Sequence, residues 1–266
     1  MSTPEAAEEV AARWATRLAA WRVPDARAAA PPPAGFPVQR FADIADLVAT
    51  LDSPSRRVAT AALPKGGTVL DVGCGAGSGS LPLAPPAGRL VGIDVQASML
   101  EAFRERAAAR GVAATAVLGP WQEVLPDLVP ADVVVSHHLL YGVEDLPGFA
   151  HALSGHARRR VVLELSDVHP VSWTAPYWRP ILGIDPPEGP TWTDALAVLR
   201  AAGIEVQVER EDGPAPLPAE SDEDQLRFLR RVLRVGEDRD EELRALLRDH
   251  PRPPWRHVTT LWWTTS

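Results

Sequence analysis

Residues 69–77 read VLDVGCGAG. An apolar run carrying Asp71 leads into three glycines at alternate positions, Gly73, Gly75 and Gly77. Seventeen residues after Gly77, a second apolar run, 89–93, ends in another acid, Asp94. A strand, a glycine turn, a helix and a second strand closed by an acid make the nucleoside-binding half of an open parallel sheet. The glycines let the backbone turn sharply and approach a ligand, since no Cβ intervenes. The closing acid can accept two hydrogen bonds from ribose hydroxyls.

The spacing speaks against a dinucleotide cofactor. A pyrophosphate site needs GxGxxG, and Ser78 fills the slot that motif reserves for its third glycine. Asp71, at the strand end, would also repel a pyrophosphate. The pattern D-x-G-x-G-x-G at 71–77, followed by Asp94, resembles the class I S-adenosylmethionine-dependent methyltransferases. The resemblance covers about residues 60–266. It implies a Rossmann-like, seven-stranded, mostly parallel α/β sheet with an antiparallel last strand and helices on both faces. It further implies that Asp71 faces the charged amino-acid end of S-adenosylmethionine. Gly73, Gly75, Gly77, Asp94, Val95 and Gln96 would hold the rest.

Composition sets outer bounds. A 45% hydrophobic fraction supports a real core in a chain of 266 residues. The net charge of −8 lowers the expectation of nucleic-acid binding. The 27 prolines and many alanines suggest a bacterial, GC-rich source. Cys74 is the only cysteine, which excludes an intrachain disulfide and fits a reducing compartment; it reads as a small buried filler. MSTPEAAEEV lacks a charged-then-apolar leader, and no apolar run approaches the ~18 residues of a membrane span. The expectation is a cytoplasmic protein without membrane partners.

Along the chain, Val10, Trp14, Leu18 and Trp21 recur at helical spacing, predicting a helix over 5–22. Residues 23–40, with five prolines, read as an irregular strap. Helices follow at about 41–50 and 54–62, the latter with Ser53 as N-cap. Strands are predicted at 68–72, 89–94, 114–118, 132–136, 160–165, 204–210 and 257–264. Between them fall a brief helix cut short by Pro82 and helices at 96–110, 146–156, 191–202 and 226–248, the last broken at Gly236. The expected organisation is an N-terminal helical segment, 1–60, and a domain, 61–266, with insertions at about 167–190, after the fifth strand and read as a cap, and at about 213–250.

Ligands of open α/β sheets bind beyond the carboxyl ends of the strands. After the third strand comes Gly119-Pro120-Trp121-Gln122, without the acid the family often places there; Glu123 is a fallback partner. Trp121 either stacks by the adenine ring or packs below the loop. After the fourth strand comes Ser136-His137-His138-Leu139-Leu140-Tyr141. Ser136 would touch the cofactor and Tyr141 the substrate. A protonated acceptor needs a base, and histidine titrates in the right range. Alternation along an extended chain predicts that only one of His137 and His138 faces the site. Glu164, in an apolar strand, must be paired or near a polar cavity. Asp167 and His169 on the next loop, with the aromatics Trp173, Tyr177 and Trp178, are expected to bind substrate. The competing role for those rings is to staple the insertion to Trp14 and Trp21. No metal-ligand spacing is present. Arg158–Arg160 reads as a solvated helix end, and 226–234 as a charged helix face over a cap or dimer contact.

The expected function is methyl transfer to an oxygen or nitrogen of a small molecule, by a monomer or homodimer that does not bind nucleic acid. The alternatives are a protein or tRNA methyltransferase and a non-catalytic cofactor-binding scaffold. A nicotinamide-dependent oxidoreductase is disfavoured by the glycine spacing.

Overall fold

The computed structural model describes residues 4–31 and 35–265. Residues 1–3 and two prolines of the strap, Pro32 and Pro33, lie outside the described residues. The chain enters through α1 (Pro4–Ala20), followed by α2 (Val38–Val48) and α3 (Pro54–Ala62). Ser53 caps α3, its side chain accepting from the Arg56 amide. The sheet then alternates with helices: β1 (Thr68–Val72), β2 (Arg89–Asp94), α4 (Ala97–Ala109), β3 (Ala113–Leu118), a one-turn α5 (Trp121–Val124), β4 (Ala131–His137), α6 (Leu146–His156) and β5 (Ala157–Ser166). A short α7 (Ala175–Tyr177) precedes α8 (Trp192–Ala201), β6 (Gln207–Arg210) and β7 (Ala215–Pro216). The chain closes with α9 (Asp222–Leu233), α10 (Asp240–Asp249), β8 (Trp255–Arg256) and β9 (Val258–Thr264).

Seven strands form one sheet in the order β3-β2-β1-β4-β5-β9-β6. β9 runs antiparallel to both neighbours, and the first five strands are mutually parallel. Strand order reverses between β1 and β4, which is where such sheets bind ligands. Alternate residues feed two cores. Val69, Val133, Val135 and Val162 pack under α3 and α4 with Val58, Leu100 and Phe103. Leu70, Val134, Val161 and Leu163 pack under α1, α6 and α8 with Trp14, Phe149 and Leu199. Trp14 also donates its indole N–H to the Val143 carbonyl at 2.8 Å. Helix α1 therefore belongs to the sheet's own core.

Two local expectations hold, with shifted bounds. The segment after the glycines makes only a turn and a single tight helical turn at Leu81–Leu83, because Pro82, Pro85 and Pro86 withhold amide donors. The predicted 226–248 helix is broken around Gly236 as expected; α9 starts earlier than predicted, at a capping box of Ser221 and Asp224, and ends at Arg234 in a left-handed conformation.

The two predicted insertions pack on each other. Tyr177, Trp178, Ile181 and Leu182 join Leu226, Leu229 and Leu233 of α9, and Leu243 and Leu247 of α10, in a separate apolar cluster. Trp21 and Val23, just after α1, complete it. The cap is thus built from three distant stretches of chain.

Candidate functional site

The glycine turn leaves β1 with positive φ at Gly73, Gly75 and Gly77. Two of these serve opposite sides. A Cβ on Gly77 would meet Leu81 at 2.5 Å and Phe103 at 2.9 Å, so this glycine closes the turn onto the core. A Cβ on Gly75 would meet only Phe41 of α2, at 3.7 Å, so this glycine faces an open cradle. Asp94 fixes that cradle. Its Oδ2 accepts from the Gly75 amide and its Oδ1 from the Gln96 amide, both at 2.9 Å. One lone-pair direction on each oxygen is left for a diol.

The remaining predicted cofactor residues fall into two groups. Val95 is exposed beside the turn. Pro120 caps α5, and Trp121 sits half-buried, edge-on to Phe149 with ring centroids 4.9 Å apart. The others are committed within the protein. Gln96 uses its amide on both backbone groups of Phe36. Ser136 is buried and donates to the Val72 carbonyl at 2.8 Å. Asp71 is buried, accepts from Ser80 Oγ at 2.6 Å, and lies under Gly79 with His137.

Across the reversal of strand order lies a buried polar cluster. His137 is opposite Glu164 in the β4–β5 register. Glu164, only 4% exposed, accepts from Ser55 Oγ at 2.5 Å through Oε2. Its Oε1 lies 3.0 Å from His138 Nε2 and 4.0 Å from His137 Nδ1. The expected divergence of the two histidines does not occur. His138 has a φ of 57°, which breaks the alternation of an extended chain and brings both rings to one carboxylate. Arg256 Nη2 stands 2.8 Å from the same His138 Nε2. A neutral imidazole nitrogen can donate to Glu164 or accept from Arg256, one at a time. His137 Nδ1, His137 Nε2 and His138 Nδ1 have no hydrogen-bond partner. Sequence reasoning singled out Glu164 as needing a partner; it missed Ser55 and Arg256, more than 90 residues away on either side.

The predicted substrate residues are mostly packing groups. Tyr141 donates to the Ser166 carbonyl at 2.7 Å between Trp14 and His169. Asp167 accepts from Thr259 and pairs with Arg210. His169 stacks on Trp21. Tyr177 and Trp178 are buried in the cap cluster, Tyr177 donating to the His250 carbonyl. Both rings pack against α9, α10 and Trp21, the arrangement expected of a staple. Trp173 alone is partly exposed, stacked on Phe228. Among the described residues no cluster of His, Cys, Asp or Glu could hold a metal ion, and no helix is long and apolar enough to cross a membrane.

Ionisation follows from burial. His138 is pushed down to about 4, by burial and then by Arg256. His169 is also pushed down to about 4 by burial. Burial would raise the Glu164 carboxyl, but His137, His138 and Ser55 outweigh it and hold it well below the usual carboxylate range. Asp71 is raised to about 6 by burial. The two histidines bind fewer protons folded than unfolded, so their stabilisation is complete above about pH 6.5 and is lost as pH falls toward 4. Asp71 opposes this, its contribution being lost as pH rises through about 6. Glu164 adds further loss in stronger acid. The melting temperature, followed by circular dichroism, should fall between pH 6.5 and 4; a rise over that range would mean that Asp71 dominates.

Residues 69–159 match a family model described as a methyltransferase domain. A 48-residue stretch is 48% identical to a 23S rRNA uracil methyltransferase from Marinomonas posidonica, covering 18% of this chain and 11% of that protein. The chain thus matches about a tenth of that relative's length. Among solved structures, the YcgJ protein from Bacillus subtilis aligns with a TM-score of 0.53 at 16% identity, over 79% of this chain and 97% of that one. Magnesium protoporphyrin IX methyltransferase from Synechocystis aligns with a TM-score of 0.49 at 18% identity, over 86% of this chain and 84% of that one.

Proposed function

We propose, from the methyltransferase-domain match over residues 69–159 and the D-x-G-x-G-x-G turn with Asp94, that this chain is a class I S-adenosylmethionine-dependent methyltransferase that methylates an oxygen or nitrogen of a small-molecule acceptor. The observation that carries the proposal is the pairing of two features across the reversal of strand order. On one side Asp94 holds the open cradle of Gly75. On the other, His137 and His138 share Glu164.

Gly75, Asp94 and the exposed edge at Val95 fit the nucleoside of the cofactor. When bound, S-adenosylmethionine supplies an electrophilic methyl group on a sulfonium. The chain's part is to position an acceptor and to take its proton. His138 is neutral near pH 7 and, with Nε2–H donating to Glu164, offers Nδ1 as the base. Glu164, held ionised, stabilises the imidazolium that forms at 3.0 Å. His137 is the second candidate for the same proton. Phe41 and Leu139 lie against the glycine turn and give the cradle apolar walls.

The short match to an rRNA methyltransferase favours a second reading, modification of RNA. The net charge of −8 opposes it, because phosphate backbones demand a positive surface. The favoured reading makes the protein a cytoplasmic enzyme, monomeric or homodimeric.

Calorimetry should show S-adenosylmethionine and S-adenosylhomocysteine binding, and no binding of NAD(P). Asp94→Ala should weaken cofactor binding by roughly 1.5–3 kcal/mol, the scale of a hydrogen bond to a charged group. NAD(P) binding without S-adenosylmethionine binding would overturn the proposal, and unchanged affinity in the variant would remove Asp94 from the site. Transfer of a labelled methyl group separates the enzyme from a cofactor-binding scaffold.

A further inference from the structure

Three arginines from separate elements lie close enough to repel one another: Arg40 on α2, Arg252 after α10, and Arg256 on β8, which reaches His138. Arg40 places Nε 3.0 Å from Glu220 Oε1 and donates from Nη1 to the Pro218 carbonyl at 2.7 Å. Arg252 donates from Nη1 to both Glu220 oxygens, at 3.1 and 3.0 Å. Its guanidinium lies over Phe228 and Trp173, 4.9 and 5.6 Å from the ring centroids. Arg256 reaches His138 with Nη2. An open cavity of about 220 Å³ is lined by Arg40, Arg252, Glu220, Gln225 and Pro254; Arg256 does not line it and acts on the cluster by its charge.

The cluster is not internally satisfied. Arg40 Nη2 and Arg256 Nε are buried and have no hydrogen-bond partner. Three partly buried guanidiniums face two carboxylates shielded from solvent, Glu220 and Glu164. Asp43 and Asp224 also act on Arg40, but both are exposed, where solvent screens them. The arginines also feel one another. Arg256 is lowered to about 10, first by burial and then, against Glu164, by Arg252 and Arg40. Buried charge and orphaned N–H donors are costly until an acceptor with matching charge completes them. The planar fork of a guanidinium matches a carboxylate or a phosphate.

We propose that Arg40 and Arg252, with the charge of Arg256 beside them, bind an anionic group, a carboxylate or phosphate, on the methyl acceptor. The word acceptor rests on the function proposed above; the anion site itself does not. Binding has a consequence for the base. Three groups face His138: Glu164 on β5, His137 on β4 and Arg256 on β8. Neutralising Arg256 removes a charge that opposes protonation of His138, so an anionic acceptor strengthens the base that serves it. A neutral analogue leaves that base weak.

The test is calorimetry on the full chain at constant ionic strength, with benzoate and phenyl phosphate as probes and benzamide and phenol as neutral controls. S-adenosylhomocysteine is titrated separately. At least one anion should bind and neither control should; comparing the two anions separates carboxylate from phosphate. Arg40→Met and Arg252→Lys should each weaken anion binding at least tenfold and leave S-adenosylhomocysteine affinity within threefold. If Arg40→Met fails to fold, Arg252→Lys, which keeps the charge and removes the planar fork, decides alone. Absence of binding by both anions, or wild-type affinity in the folded variants, overturns the proposal. Anion binding without S-adenosylhomocysteine binding would instead retain the anion site and discard the methyltransferase reading.

Discussion

Replacing Glu164 by alanine should destabilise the protein by roughly 3–5 kcal/mol, the cost of breaking a buried charged network by removing one member. Ser55 Oγ would lose its acceptor at 2.5 Å, and His138 its carboxylate at 3.0 Å. Arg256 would lose the nearest counter-charge in the buried cluster. Glu164→Gln keeps the shape and still offers Ser55 an oxygen, so it should cost less, about 1–3 kcal/mol. Urea unfolding of both variants measures the difference. An alanine variant within 1 kcal/mol of wild type would mean that water replaces the carboxylate and that the cluster is not closed. If His138 takes the acceptor's proton, Glu164→Gln should also slow labelled methyl transfer more than it weakens S-adenosylhomocysteine binding.

The second large effect lies in the cap. Trp178 is 2% exposed, edge-on to Trp21 and surrounded by α9 and α10. Truncating it to alanine leaves a large cavity and should cost roughly 3–5 kcal/mol. The loss should appear as a lower melting temperature, with S-adenosylhomocysteine affinity within a few-fold of wild type, since the glycine turn is built from β1 and β2. Trp173→Ala offers the contrast. Its ring is partly exposed and touches Phe228 and the Arg252 guanidinium, so a smaller stability loss and a larger change in acceptor affinity are expected. Equal melting temperatures for Trp178→Ala and wild type would return that ring to the substrate wall.

The sequence by itself determined the sheet and the glycine turn at its edge of reversal. The strands at 68–72 and 89–94 fall where the apolar runs end, and α3 and α6 begin at their predicted residues. These signals are local: an apolar run, a glycine that tolerates positive φ, a serine or aspartate that caps the next helix. The antiparallel position of β9 was also legible, through the family resemblance. The polar cluster was legible only as a requirement, because a lone Glu164 inside an apolar strand demands a partner without naming it. Tertiary structure alone named the partners. Ser55 and Arg256 come from opposite ends of the chain. The left-handed turn at His138 brings its ring to His137 against the alternation that residue spacing dictates. The same holds for the cap, where Tyr177 and Trp178 looked equally suited to a substrate wall or a staple. A ring's apolar area is a property of the residue, whereas the surface that covers it is set by how distant helices close over the sheet, and periodicity along the chain carries no record of that.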